Sequence, residues 1–381
     1  MSKILIIFGT RPEIIKIAPV ISEFKKRNLN SLITVLNTNQ HKDLLKSYFE
    51  IFRITPDYNL NIMNSGQSLS ELTAKTINEL QFHLNKIKEN TGLPEFIMAQ
   101  GNTNTVFASA IIAFLNNIKF AHIEAGLRTF DFQNPYPEEY YRRVASLSTE
   151  IHFAPTEIAK ENLIKEGING EKILLTGNTI VDSLNCIKES NLVSENNHSE
   201  KYGSLIKKNN LVLITCHRRE NHGKNLTNLI NSVKNLSQKY SEFNFIWIKH
   251  PNPNVEKKIK SSNLESFKNI FLCEPFNYLE MISLHSNLKL IMTDSGGIQE
   301  EAPSFGVPVI VIGKKTERME GILEGYSFLA GTEESEITSS FEKHLKEKIE
   351  ITKNPYGDGF ASKKIVDYFV NYFFAGNSTT V

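Results

Sequence analysis

Thr293-Asp294-Ser295-Gly296-Gly297-Ile298-Gln299-Glu300-Glu301-Ala302-Pro303-Ser304 decides how this chain is built. It follows the apolar run Leu288-Lys289-Leu290-Ile291-Met292, which reads as a buried strand, and it leads into a short helical pattern. Ser295, Gly296 and Gly297 therefore fall at a strand-to-helix turn. Two glycines let the backbone bend so that several N–H groups converge, and the helix start adds about half a positive charge there. Such a turn suits a diphosphate. Glu300 and Glu301, one turn further on, supply carboxylates able to accept the two vicinal hydroxyls of a ribose. The plainer reading is an ordinary glycine turn with a solvated pair of glutamates, and the segment alone leaves both open.

The same strand-then-helix rhythm runs through the rest of the chain. Apolar runs at 3–8, 32–37, 95–99, 118–123, 151–154 and 172–176 alternate with helical patterns such as 12–27, 68–90, 104–115 and 157–166. A polar stretch from Glu189 to Asn210 reads as a surface excursion. The alternation then restarts, with strands at 211–215, 244–249, 269–273, 288–292 and 307–312 and helices at 224–239, 255–261, 277–285 and 297–304. This is the signature of βα units and parallel sheets. The expected fold is α/β, with two Rossmann-like doubly wound domains facing a cleft, at 1–175 and 176–359. Ligands of open α/β sheets bind at the carboxyl edge of the strands.

At 381 residues, two domains are the natural expectation. The 43 Lys and Arg balance the 42 Asp and Glu, so no global field draws the protein to nucleic acid or to an anionic membrane. Any bound anion is held by a local site. Phe107–Leu115, apolar apart from Ser109, is far short of a membrane span. Lys3–Phe8 reads as a first strand rather than as the core of a signal peptide. Cys186, Cys216 and Cys273 show no paired spacing, which fits a reducing cytoplasmic setting.

Three further segments place chemistry at strand ends. Gly9-Thr10-Arg11-Pro12-Glu13 follows the first strand, with Pro12 suited to a first helical turn and with Arg11 and Lys16 positioned to offer cations to a phosphate. His122-Ile123-Glu124-Ala125-Gly126-Leu127-Arg128-Thr129 and the loop Pro135-Tyr136-Pro137-Glu138-Glu139 supply Glu124 and Glu138. A carboxyl group in a cleft can serve as acid or base near neutrality; the competing reading pairs each with Arg128, Arg142 or Arg143. Thr215-Cys216-His217-Arg218-Arg219-Glu220-Asn221 puts His217 at the end of the second domain's first strand, where it can meet a phosphate or carry a proton. Lys249-His250 and Thr316-Glu317-Arg318 occupy equivalent loops. No Gly-x-Gly-x-x-Gly, Walker loop or Asp-x-Asp is present, which disfavours nicotinamide, flavin and metal-dependent chemistry.

Taken in order, these blocks resemble the non-hydrolysing UDP-N-acetylglucosamine 2-epimerases nearly end to end. Phe-Gly-Thr-Arg-Pro-Glu at 8–13, His-Ile-Glu-Ala-Gly-Leu-Arg-Thr at 122–129, Thr-Gly-Asn-Thr-Ile-Val-Asp at 176–182 and His-Arg-Arg-Glu-Asn at 217–221 carry the likeness. So do the segment 294–304, Thr-Glu-Arg at 316–318 and Asn-Pro-Tyr-Gly-Asp-Gly at 354–359. The resemblance implies a glycosyltransferase-B fold, with a final helix at 360–376 completing the N-terminal domain, and a homodimer. It implies removal of the sugar's C2 proton with loss of UDP from C1, then return of both on the way to the manno epimer, without cofactor or metal. By position, Arg11, Lys16 and His217 serve the sugar-phosphate end, and His217 joins the catalytic set with Glu124 and Glu138 as acid/base residues. Ser295, Gly296, Gly297 and Glu301 hold UDP, and Arg318 contacts substrate.

Two departures stand out. Where the family has Gly-Asp-Thr after the third strand, this chain has Gly101-Asn102-Thr103, and an amide neither takes nor gives a proton near neutrality. The open alternatives are a glycosyltransferase, a hydrolysing epimerase, or a UDP-sugar-binding pseudoenzyme. In the loop that serves a regulatory UDP-sugar site in relatives, this chain has Gln40-His41-Lys42-Asp43, with Lys75 near a helical arginine position. Lysine keeps the charge and loses the planar two-pronged geometry of arginine.

Overall fold

The computed structural model describes residues 2–40, 42–64, 66–190, 192, 210–218, 221–249, 252–347 and 349–375. Most of the Glu189–Asn210 excursion, together with His41, Arg219, Glu220 and His250, lies outside the described residues. The chain divides into two compact units, residues 1–186 with 356–381, and residues 187–355. The divisions fall at 186/187 and 355/356 rather than at 175/176 and 359/360, because residues 176–185 pack with the returning C-terminal segment.

In the first unit the strands are β1 (Ile4–Phe8), β2 (Ile33–Asn37), β3 (Tyr58–Asn59), β4 (Phe96–Gln100), β5 (Lys119–Ile123), β6 (Thr149–Ala154) and β7 (Ile173–Leu175). They form a parallel sheet in the order β3-β2-β1-β4-β5-β6-β7. The connecting helices are α1 (Arg11–Lys26), α2 (Lys42–Phe52), α3 (Leu69–Thr91), α4 (Asn104–Leu115), α5 (Glu138–Ser148), α6 (Glu157–Lys165) and α7 (Thr179–Glu189). Strands covered on both faces are mostly apolar, and all five residues of β1 and of β4 are buried, polar Gln100 included. Two strand-order neighbours, β1 and β4, connect in opposite directions, so a crevice opens beyond their carboxyl ends.

The second unit repeats this plan with β8 (Leu211–Thr215), β9 (Asn244–Ile248), β10 (Ile270–Cys273), β11 (Leu288–Thr293), β12 (Val309–Val311) and β13 (Ser327–Leu329), parallel in the order β10-β9-β8-β11-β12-β13. Its helices are α8 (Lys224–Lys239), α9 (Pro253–Ser261), α10 (Tyr278–His285), α11 (Gly296–Glu301), α12 (Met319–Leu323) and α13 (Glu334–Lys346). Trp247, Phe245 and Phe341 are fully buried on one face of the sheet, and Leu213, Ile246 and Ile291 on the other. The switch of direction here lies between β8 and β11.

The last helix, α14 (Ala361–Phe374), belongs to the first unit. Phe369 packs against Phe24, Phe96 and Phe153, and Asp182 of α7 accepts from the N–H groups of Ala361 and Ser362, so the helix start is capped from outside. Several elements escape the apolar-run reading. β3 has two residues, too few to show a period, and α5 begins in a polar, proline-flanked segment that reads as a loop. It is a helix because Tyr141, Arg142, Ala145 and Ser146 form a buried stripe, while Glu138 and Glu139 place negative charge in the first turn. The 297–304 helix is divided: α11 passes at Ala302 into a 3-10 turn containing Pro303. Among the described residues no helix is long and apolar enough to cross a membrane.

Candidate active site

Adjacent placement of β1, β4 and β5 brings three loops together at the carboxyl edge of the first sheet. Thr10 stands at the N-cap of α1, and fully buried Glu13 reaches back to the helix start, accepting from Gly9 N at 2.9 Å and Thr10 N at 2.7 Å. Its other carboxylate oxygen accepts from Thr103 Oγ1, so one carboxylate joins the loop after β1 to the loop after β4. Burial pushes the Glu13 carboxyl up, against the downward pull of these hydrogen bonds. Asn102 lies between Gly101 and Thr103 on the tethered loop and is half-buried. Gly101 has a φ of 88°, and its carbonyl accepts from His122 Nε2 at 2.7 Å.

Glu124 follows β5 directly. It is buried, its φ is 63°, and its Oε2 accepts from Lys16 Nζ and from Gln100 Nε2, the latter at 2.8 Å. Lys16, on the second turn of α1, is itself buried, so its ammonium is engaged with a carboxylate. Arg11 is exposed at the first position of α1. Arg128 is buried and donates to Glu166 at 2.7–3.0 Å and to Ser146 at 2.9 Å; Arg143 pairs with Glu166; Arg142 lies 3.1 Å from Glu139. Glu139 also accepts from Thr129 N and Phe130 N and holds the loop. Of the Pro-Glu-Glu pair, Glu139 is therefore structural, while Glu138 stands half-buried at the head of α5 rather than on a loop.

In the second unit the loops after β8, β11 and β12 converge in the same way. Ser295 caps α11 through its hydroxyl, which accepts from Ile298 N at 3.5 Å. Neither Gly296 nor Gly297 has a positive φ, so the bend itself does not demand them. A Cβ on Gly296 would sit 2.8 Å from the Arg318 guanidinium carbon, so a larger residue there would have to displace that side chain. A Cβ on Gly297 would meet nothing nearer than Ser295 Oγ at 3.9 Å, so that backbone faces open space. Arg318 is buried and donates to Glu300 at 2.9 Å and to Glu317, which also takes Arg218 at 3.0 Å. The structure thus places Arg318 beneath the glycine turn. Glu300 is drawn into this network, whereas Glu301 accepts from Tyr278 Oη at 3.4 Å.

His217 lies 2.9 Å through Nδ1 from Asp294, while 44% of its side chain is exposed. Asp294 is almost wholly buried and also accepts from His217 N, Arg218 N and Asn221 Nδ2 at 2.9–3.1 Å. Burial pushes its carboxyl up, but these hydrogen bonds and the His217 charge outweigh it and hold it well below the usual range. Around the sequence-predicted regulatory loop, Gln40 is half-buried in a turn, Lys42 and Asp43 lie in the first turn of α2, and Lys75 donates to Asn64 at 3.2 Å. Glu13, Gln100, Asp294 and Tyr278 are the site residues that motif reading leaves without a role. Only Glu13 carries a local signal, the Thr-x-x-Glu capping pattern.

At the carboxyl edge of the first sheet Glu124 lies against buried Lys16, with Glu138 at the head of α5; at that of the second sheet the open backbone of Gly297 lies near Glu301. A family model described as UDP-N-acetylglucosamine 2-epimerase matches residues 23–370. The chain is 42% identical over 373 residues to the UDP-N-acetylglucosamine 2-epimerase of Neisseria meningitidis serogroup A, covering 96% of this chain and 98% of that one. The crystal structure of the Neisseria meningitidis UDP-GlcNAc 2-epimerase bound to UDP-GlcNAc superposes with a TM-score of 0.86 at 40% identity, covering 97% of this chain and all of the other. The Methanocaldococcus jannaschii UDP-GlcNAc 2-epimerase, in complex with UDP-GlcNAc and UDP, gives 0.83 at 37% identity, covering 97% and 99%. With likeness of this depth over nearly its whole length, the chain belongs to the UDP-N-acetylglucosamine 2-epimerase family.

Proposed function

We propose that this protein interconverts UDP-N-acetylglucosamine and UDP-N-acetylmannosamine. The observation that carries the reading is Glu124, a buried carboxylate at the strand edge between Lys16 and Gln100, in a chain 42% identical to an enzyme of that name. The Ser295–Gly297 turn takes the diphosphate and Glu301 the ribose hydroxyls. Arg11 and His217 serve the sugar-phosphate end, with Lys16 acting through Glu124. A carboxylate removes the C2 proton; the C–H electrons form the C1=C2 bond, and the C1–O electrons leave anti with UDP. The 2-acetamidoglucal is then protonated on its other face and recaptures UDP at C1.

With an amide at Asn102, two carboxyl groups remain for the two proton transfers, Glu124 and Glu138. One observation favours a second reading. Without the third acid, return of UDP can be outpaced by water, and the protein then releases UDP and ManNAc as a hydrolysing relative does. Incubation with UDP-GlcNAc in D₂O, followed by NMR, tests both. Deuterium at C2 of a UDP-linked manno product is the expected outcome, and free UDP with ManNAc marks hydrolysis. An unchanged substrate would sink the reading. Asn102→Asp is expected to raise kcat by about 10²-fold or more, the usual contribution of one acid–base group.

The same reading makes the protein a cytoplasmic homodimer that supplies UDP-ManNAc for surface polysaccharide. Unpaired cysteine spacing suits a reducing compartment. Phe82, Phe114, Leu115, Tyr140 and Leu147 are exposed on α3, α4 and α5 and offer apolar surface to a second copy.

A further inference from the structure

Asp294 directly follows β11, and nothing in its motif distinguishes it from a helix-capping residue. Yet it does not cap α11; Ser295 does. Its carboxylate turns instead to the neighbouring strand's loop and accepts from His217 N, Arg218 N, Asn221 Nδ2 and His217 Nδ1. A buried carboxylate surrounded by four donors can only accept. The imidazole nitrogen 2.9 Å away must therefore carry its hydrogen on Nδ1. Asn221 braces the arrangement from the other side, donating to Ile312 O at 3.1 Å. Arg218, the cation next in sequence, donates through its guanidinium to Glu317 at 3.0 Å.

We infer that Asp294 is a positioning residue for the reaction: it locks His217 as the Nδ1–H tautomer and turns Nε2 outward to the sugar-phosphate end of the nucleotide-sugar. The inference rests on the proposed function for its consequence, though not for its geometry. Carboxylates behind an imidazole set ring orientation and tautomer wherever one nitrogen must face a reacting group. Here the partner exposed to the ligand is on the loop after β8, and the lock is on the loop after β11, the two strands at the switch point of the sheet.

The test is ¹⁵N NMR of the full-length protein labelled at histidine, with the His217 signals identified by their loss in His217→Gln. On the alkaline side of the imidazole titration, His217 is expected to show a protonated Nδ1 and a bare Nε2. Asp294→Asn, whose amide turns a donor toward the ring, is expected to switch it to Nε2–H. That variant is also expected to lower kcat about 10²-fold with KM changed less than about threefold. An Nε2–H tautomer in the unaltered protein overturns the inference, and so does an Asp294→Asn variant that keeps both the Nδ1–H signature and full kcat. The first measurement stands even where the variant does not fold. Absence of turnover by the unaltered protein, with Nδ1–H in place, counts against the epimerase reading and leaves the lock intact.

Discussion

Glu124 occupies left-handed backbone at a φ of 63°, a conformation that costs a non-glycine residue about 1–2 kcal/mol and is tolerated where the surroundings enforce it. What enforces it is the ion pair with Lys16 and the amide of Gln100, both buried with it. Removing one partner of such a pair strands the other charge in the interior, at a cost of roughly 3–5 kcal/mol. Glu124→Gln and Lys16→Met are each expected to lower unfolding free energy by about 3 kcal/mol. The double variant should lose clearly less than the sum. Urea titrations of all four proteins check this. Activity separates the roles: kcat falls about 10²–10⁴-fold wherever Glu124 is replaced, including the double variant whose stability partly returns. Lys16 itself shows how far a motif can be read. Its charge and position near a helix start are evident in the chain, but its partner lies 108 residues away, so its engagement with Glu124 needed the fold.

At the scale of elements, glycines that look alike along the chain are held for different reasons. Gly101 and Gly126 both have positive φ, at 88° and 92°. Nothing lies within 4 Å of a Cβ added at Gly101, whereas one at Gly126 would stand 2.1 Å from the carbonyl oxygen of Ala159 on α6. Gly101→Ala is therefore expected to cost about 1–2 kcal/mol, the backbone term alone. Gly126→Ala adds a backbone collision and should cost about 3 kcal/mol or more, with a visibly lower Tm by calorimetry. If the two variants melt together, the packing of the 124–128 loop on α6 is wrong. Strand runs and the long amphipathic helices were legible in the chain because covered parallel strands are apolar and helices keep a 3.6-residue period. α5 was hidden because its buried stripe contains Tyr141 and Arg142, whose burial depends on Glu139 and on Phe107 stacking 4.8 Å from Tyr141.

For the molecule as a whole, acid is the predicted weakness, in both units. His122 and His152 face each other in register across β5 and β6, and His285 lies on α10. All three are buried, and burial lowers their pKa to about 4, about 3 and about 4, respectively. They are neutral in the folded chain at neutral pH, while the unfolded chain takes up protons below about pH 6.5. Their contribution is complete above that value and is lost as pH falls toward 4 and 3. One such group should make the protein roughly 2 kcal/mol less stable at pH 5 than at pH 7.5. His152→Phe is expected to remove about that much of the difference, measured by urea unfolding at the two pH values; an unchanged difference would refute the assignment.

Local chemistry, read along the chain, determined that this is an α/β protein with a glycine turn, a cationic first helix and a chain of family blocks. Those properties depend on periodicity and on residues close in sequence. Tertiary structure decided which like-looking groups have which task. Glu300 goes to Arg318 and Glu301 stays by Tyr278; Glu139 holds a loop and Glu138 heads a helix; Asp294 turns from its own helix to His217. Apart from the place of Glu138, each of these choices is a contact between residues on different elements or loops. A buried polar group takes whatever partner the packed fold brings within about 3 Å, and sequence spacing does not encode that distance.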